Sequence, residues 1–440
     1  MVTLVAPQLL IKMTMETMKE QLATAYRVMP GGAFTTYVLD QEVDLVIRDA
    51  KGSRVYDVDG KEYIDCVNGS GPMLLGHAHP EVVSALRKAV ECPSNFYLLN
   101  EKGIELAEQL VSSIPCAQQI KYGVTGSDAT LYAMRLARAF TGRSKILKFE
   151  GGFLGGNDYA LMSMNPPSPQ PDYPTARPDS AGIPRVLESE VLIAPFNNLS
   201  VVEDIVRTSA HEIAAIIVEA QQRCIDPQPG FLEGLRAICD THGILLIFDE
   251  VVTGFRLAWG GAQERFNVLP DLGTYGKVIG GGLPLSAVGG RADIMELANP
   301  RSPADPRKCF TGNTTCGNSV AATAGIATLN VLRRPGTYER LDEIGDRFRK
   351  GAAEIFARRG LPGQAIGSGP LSQILLTDVP VVDYRSSVSG NLKLQRQLMT
   401  AMVRRGALTH GKFYFSLALS NEDIDQILSV LDDSIASVLS

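Results

Sequence analysis

The 440-residue chain is 45% hydrophobic and 20% charged, the composition of an ordinary globular protein with material for two or three packed units. Its formal charge of −6 is spread along the chain without a basic block or interleaved aromatics, which excludes a surface built for nucleic acid. Seven cysteines, an odd number with no C-x-x-C pair, exclude a disulfide framework and a zinc knuckle and fit a reduced, cytoplasmic compartment.

Residues 1–11 are apolar but lack a basic leader and are interrupted by Pro7, so no secretory signal is expected. No apolar run reaches the roughly 18 residues of a membrane helix, so no membrane association is expected. Over 14–29, Met15, Met18, Leu22, Tyr26 and Met29 recur at helical spacing and predict a lone amphipathic helix, either packed on a partner subunit or forming a lid. Strands at 45–48, 53–57 and 62–66, with Asp59-Gly60 as turn, predict a meander. Helices at 80–90 and 101–114 follow, and His77 and His79 before them read as a turn rather than a metal site.

The next segments alternate strand and helix, with strands expected at 120–124, 145–149, 191–194, 213–219, 244–249 and 272–275. Several are apolar throughout, as in strands covered on both faces, which predicts an α/β fold with a mostly parallel central sheet and helices on each side. Residues 165–185 hold seven prolines without periodicity and predict a long irregular excursion. A long helix is expected after Thr311, then an α+β tail with strands near 372–376 and 413–419. Three parts result: an N-terminal helix and meander over 1–75, a large α/β domain over 76–330 and a C-terminal α+β domain over 331–440.

Three strand ends carry the chemistry. Phe248-Asp249-Glu250-Val251 closes an apolar strand with two acids, at the carboxyl edge where open α/β sheets bind ligands, though Asp249 could merely cap the next element. Leu272 to Tyr275 ends in Gly276-Lys277, where a desolvated lysine becomes an amine nucleophile, the alternative being a surface lysine. The glycines after Lys277 lack Gly-x-Gly-x-x-Gly and stand in the reverse order of a P-loop. At Thr125-Gly126-Ser127-Asp128 a strand gives way to a helix whose free N–H groups suit an anion, or whose start is a plain N-cap on Ser127 or Asp128. Together, a phosphate seat, a strand-end acid and a strand-end lysine on one sheet edge form the apparatus of pyridoxal phosphate. Lys277 would carry the cofactor as a Schiff base and shuttle a proton, while Asp249 would keep the pyridine nitrogen protonated.

At these residues the chain resembles the class III aminotransferases of the type I pyridoxal-phosphate fold, most of all the glutamate-1-semialdehyde aminomutase-like and β-amino-acid aminotransferase-like members. The resemblance rests on Met29-Pro-Gly-Gly32, Tyr56-Asp-Val-Asp-Gly60, Leu75-Gly-His-Ala-His-Pro80, Lys148-Phe-Glu-Gly151, Phe248-Asp-Glu-Val251 with Thr253-Gly-Phe-Arg256, and Gly276-Lys277. It implies a smaller α+β domain made from both termini. It further implies that Gly126 and Ser127 hold the phosphate, that Phe153 stacks on the ring with Val251 on its other face, and that Glu219 lies near the 3-hydroxyl. Thr314 would reach the phosphate of the neighbouring subunit, which implies a homodimer with shared sites.

Departures from that pattern bear on the substrate. Residues 33–38 offer no arginine for a substrate carboxylate, Ser70 replaces a tryptophan, and His410 stands where related enzymes place an arginine near the C-terminal strand. Gln222, Arg223 and Arg256 are the further substrate candidates, with an ion pair as the plain alternative for Arg256. The resemblance implies amino transfer between an amine donor and a ketone or aldehyde acceptor through the pyridoxamine form of the cofactor. An intramolecular aminomutase or an epimerase is the alternative, and a silent binding protein on the same fold the distant one. The missing arginine predicts a substrate without an α-carboxylate and poor use of glutamate semialdehyde.

Overall fold

The computed structural model describes residues 17–440 apart from 37, 93, 94, 167 and 303. Among the described residues the strands are β1 (Ile47–Lys51), β2 (Arg54–Asp57), β3 (Glu62–Asp65), β4 (Gln119–Gly123), β5 (Lys145–Phe149), β6 (Val191–Ala194), β7 (Ile213–Glu219), β8 (Leu245–Asp249), β9 (Leu272–Tyr275), β10 (Ser286–Gly290), β11 (Gln364–Ile366), β12 (Leu371–Leu375), β13 (Ala407–Leu408) and β14 (Lys412–Tyr414). They form a seven-stranded sheet ordered β4-β10-β9-β8-β7-β5-β6, a four-stranded sheet β1-β2-β3-β13 and a three-stranded sheet β11-β12-β14.

In the large sheet β6, β5, β7, β8 and β9 are parallel, and β10 alone runs against its neighbours β4 and β9. Every residue of β7 and β8 is buried, and the strand period of two divides them between two helix layers. Ile216, Val218, Leu246 and Phe248 pack with Val202 and Leu235 of the helices Leu199–Ser209 and Phe231–His242. Ala215, Ile217, Leu245 and Ile247 pack instead with Ala133 and Leu136 of the helix Gly126–Thr141. The mostly parallel, doubly covered sheet is thus the expected one.

The residue pattern does not predict the short strands β11 and β13, nor, in the large sheet, β10. Its Ser-Ala-Val-Gly-Gly sequence is poor in branched residues, yet its glycines are required by close approach. A methyl at Gly290 would lie 2.4 Å from the Asp271 carbonyl oxygen.

The two ends of the chain meet in one unit, because β13 pairs in parallel with β3, Ala407 opposite Ile64 and Leu408 opposite Asp65. Ile64, Phe348, Phe413 and Phe415 share its core. The expected N-terminal helix is Met18–Val28, with a Thr17–Glu20 capping box, while Met15 lies outside the described residues. The proline-rich excursion is tethered through Tyr173, whose hydroxyl donates to Glu150 at 2.7 Å, and through Arg385, which binds Glu150 and the Pro171 carbonyl. Among the described residues no helix is long and apolar enough to cross a membrane.

Candidate active site at the carboxyl edge of the sheet

Strands β7, β8 and β9 end side by side, with Glu219 opposite Asp249 and Asp249 opposite Thr274 in register. Asp249 is buried. Its Oδ1 accepts from the Val251 N–H and the Thr274 hydroxyl, both at 3.0 Å, whereas Oδ2 accepts no hydrogen bond among the described residues. Burial, and then the charge of Glu219, raise the carboxyl to a pKa of about 7. Its neighbour Glu250 has a structural task, accepting from Ala262 N–H, Gln263 and the Thr253 hydroxyl.

Lys277 follows β9 directly and sits in left-handed backbone at φ 47°, a conformation that costs a branched or long residue about 1–3 kcal/mol and gathers at functional sites. Its Nζ donates to the Ser70 carbonyl at 2.8 Å. Burial, and then the Arg256 charge, lower its pKa to about 8, with Asp249 and Glu219 opposing. The uncharged, nucleophilic amine is therefore roughly a tenth of the total at pH 7 and about half near pH 8, far more than for an ordinary lysine.

The third strand end is β4. Thr125, not Ser127 or Asp128, is the N-cap of the helix Gly126–Thr141, and it forms a capping box with Asp128. The Gly126 and Ser127 backbone N–H groups donate to no acceptor among the described residues, so two donors at a helix start stay free for an anion. The Ser127 hydroxyl accepts from Gly156 N–H at 2.8 Å. Val251 lies between the two glycine turns: a methyl at Gly126 would be 3.1 Å from its Cγ1, and one at Gly276 3.3 Å.

On the other flank Glu219 Oε2 accepts from the Phe153 N–H at 2.9 Å. The Arg223 guanidinium lies 5.3 Å from the centre of the exposed Phe153 ring, and its Nε donates to the Gly151 carbonyl at 3.0 Å. Gln222 is buried. It donates to the Glu150 carbonyl at 2.7 Å and leaves Oε1 unpartnered. Ser70 contributes its carbonyl to Lys277, and the following Gly71 accepts from Arg256 Nη2. Gly71 has to be glycine, since its φ is 107° and a methyl there would lie 3.0 Å from both Arg256 and Tyr414.

Two candidates differ from expectation. Arg256 makes no ion pair among the described residues; it is buried on the carbonyls of Val252 and Gly71, with Nη1 unpartnered, and burial lowers its pKa to about 10. His410 is half-buried and held neutral, its pKa lowered to about 4 by desolvation and by Lys412. It lines a separate cavity of about 560 Å³ with Val38, Leu39 and the helix Leu392–Arg404. Lys412, which no motif marks, is the cation of β14. Lys412 and Tyr414, two apart on β14, share one face; the Tyr414 ring lies 5.9 Å from the Arg256 guanidinium, and the charge of Arg223 acts on both residues. Thr314 lies in an exposed segment before the helix Ser319–Leu332 and bonds to none of these groups. His77 is paired with Asp65 at 2.7 Å, the structural use expected for it.

The described geometry has counterparts in known proteins. The family profile for aminotransferase class-III matches residues 37–435. An omega-transaminase from Sphaerobacter thermophilus is 30% identical, aligned over 96% of this chain and 98% of that one, with a TM-score of 0.90. A beta-phenylalanine aminotransferase from Variovorax paradoxus is 28% identical over 96% and 94%, with a TM-score of 0.85. A glutamate-1-semialdehyde-aminomutase from Pseudomonas aeruginosa PAO1 is 22% identical over 96% and 94%, with a TM-score of 0.86, a likeness of fold alone.

Proposed function

The chain belongs to the class III aminotransferases, and from that premise we propose that Lys277 is its cofactor-bearing catalytic amine and Asp249 the partner of the cofactor's ring nitrogen. The enzyme is an aminotransferase and its cofactor is pyridoxal 5′-phosphate. Bound here, that cofactor supplies an aldehyde for amine substrates and a conjugated ring that accepts the electrons of a deprotonated carbon.

The residues fit the group on an observation of this site: buried Asp249 keeps Oδ2 without a donor and is raised toward neutrality, a cost that a cationic N–H opposite it would remove. The free N–H groups of Gly126 and Ser127 would hold the phosphate. Phe153 and Val251 would bound the ring, with Glu219 beside its hydroxyl edge. Lys277 Nζ, uncharged in a large share of molecules near pH 8, takes the proton from the amine-bearing carbon of the substrate. Ser70 orients that nitrogen through its carbonyl.

The fourfold exposed run Phe96, Tyr97, Leu98 and Leu99, together with exposed Phe310 near Thr314, supports a homodimer in which Thr314 reaches the partner's phosphate. Seven free cysteines, five of them buried, support a reducing cytoplasmic location. Borohydride reduction of the holoenzyme followed by peptide mapping tests the central assignment. The cofactor should remain on the peptide containing Lys277, and its recovery on any other lysine refutes the proposal.

A further inference from the structure

Resting on the reading of Phe153 and Ser127 as cofactor groups, we propose that Lys148 is a positioning residue whose ammonium pins both ends of the loop 152–162 and so sets those two residues against the cofactor. Lys148 lies in β5, is 1% exposed and makes no ion pair among the described residues. Its Nζ donates instead to the carbonyls of Met162 at 2.6 Å, Ala160 at 2.7 Å and Gly152 at 3.2 Å. An ammonium has three N–H donors and no acceptor, so three carbonyls use all that it offers. Gly152 begins the loop, and Ala160 and Met162 end it, so one charge holds both ends to the strand. Burial pushes the pKa of Lys148 down to about 7, and the charges of Asp179 and Glu219 work against that. A desolvated cation of this kind is stable only where oxygens replace its water.

Between those ends the loop meets the site and its supporting helix at three points. The Phe153 N–H donates to Glu219 Oε2 at 2.9 Å, the Leu154 carbonyl accepts from the Thr130 hydroxyl at 2.6 Å, and the Gly156 N–H donates to Ser127 Oγ at 2.8 Å. Accepting that last bond leaves the Ser127 hydroxyl its own hydrogen, the one it would give to a phosphate. The fit is close. At Gly155, where φ is 102°, a methyl would lie 2.7 Å from Ser127 Cα and 2.8 Å from its Oγ. Phe153 is 45% exposed, so the backbone beneath the ring, rather than a surrounding core, fixes where it stands. Glu150, in the same Lys148-Phe-Glu-Gly151 segment, is engaged elsewhere, by Tyr173 and Arg385. The clamp on the loop's two ends is therefore left to Lys148.

Three variants of the holoenzyme test this. Lys148→Met removes the three donors, and Thr130→Val removes only the hydroxyl on Leu154. Arg236→Met is the control, a part-buried cation on the helix Phe231–His242 that pairs with Asp271 at 2.9 Å. In amide hydrogen exchange the 152–162 peptide should exchange about tenfold faster or more in Lys148→Met, less so in Thr130→Val, and unchanged in Arg236→Met. On dialysis Lys148→Met should release pyridoxal phosphate roughly 10–100-fold faster than the wild type, the range for outer groups that orient direct ligands, with a weaker visible circular-dichroism band. Lys148→Arg, which keeps the charge and its donors, should recover part of both. Unchanged loop exchange or unchanged release in Lys148→Met overturns the proposal, as does equally fast release from Arg236→Met. Should Lys148→Met fail to fold, Thr130→Val decides, and wild-type exchange and release in that variant overturn it. If the wild type holds no pyridoxal phosphate, the cofactor reading fails instead, and the exchange series still decides whether Lys148 pins the loop.

Discussion

At the carboxyl edge of the parallel sheet the charged groups come with local answers, whereas on β14 they do not. Asp249 has the Val251 N–H and the Thr274 hydroxyl, and Lys277 has the Ser70 carbonyl. The Lys412 ammonium has no such partner among the described residues, and the charges of Arg223 and Lys277 act on it against that of Glu219. The first region is finished by the protein itself and needs only a cofactor to complete it. The second is left without a hydrogen-bonding partner for its ammonium among the described residues.

Removing the resident chemistry should have the largest effect. Lys277→Ala is expected to lower turnover by about 10⁴-fold, the upper range for a positioned proton-transfer group, and to eliminate borohydride trapping. Activity retained with trapping elsewhere would break the distinction between the two regions. Asp249→Asn should reduce kcat by about 10²–10³-fold, as for loss of one preorganised electrostatic partner, while circular dichroism stays that of the wild type. A variant with near-normal kcat would show that Asp249 only shapes the strand end.

The same contrast explains what the sequence allowed to be read. Asp249 ends a strand, and Lys277 and Gly126-Ser127 follow theirs within a few residues, so local pattern alone brings them to one edge. The helix cap was harder: three hydroxyl or carboxyl side chains stand in a row at 125, 127 and 128, and only backbone geometry selects Thr125. Lys412 was silent because the charge that acts on it most, that of Arg223, is nearly two hundred positions away in the chain. Arg256 looked like half of an ion pair, yet its partners are backbone carbonyls, which no residue pattern announces. Strand β10 was hidden by the glycines that its tight neighbours demand.

A pH series on the cofactor-free chain sharpens the comparison with a smaller effect. Only the uncharged Lys277 amine attacks an aldehyde, and burial with Arg256 lowers its pKa to about 8. The rate of cofactor capture should therefore rise with pH up to about 8 and level off above it. A rate that keeps climbing toward the ordinary lysine value near 10.4 would mean that Lys277 is not desolvated.

The smallest expected change separates the two charges that act on that lysine. Arg256 and Lys277 are held on consecutive carbonyls, Gly71 and Ser70, so a fixed positive charge sits beside the amine, with Asp249 and Glu219 acting against it. A neighbouring cation disfavours the ammonium form, and a neighbouring carboxylate favours it. Arg256→Met removes a cation, so the midpoint of cofactor capture should move above 8. Asp249→Asn removes an anion, so it should move below 8. Arg256→Lys, which keeps the charge, should stay closer to the wild type than Arg256→Met does. Stopped-flow absorbance across the pH series reads all three midpoints. Shifts of the same sign in the Met and Asn variants would mean that they act by disturbing the Ser70-Gly71 turn rather than by charge.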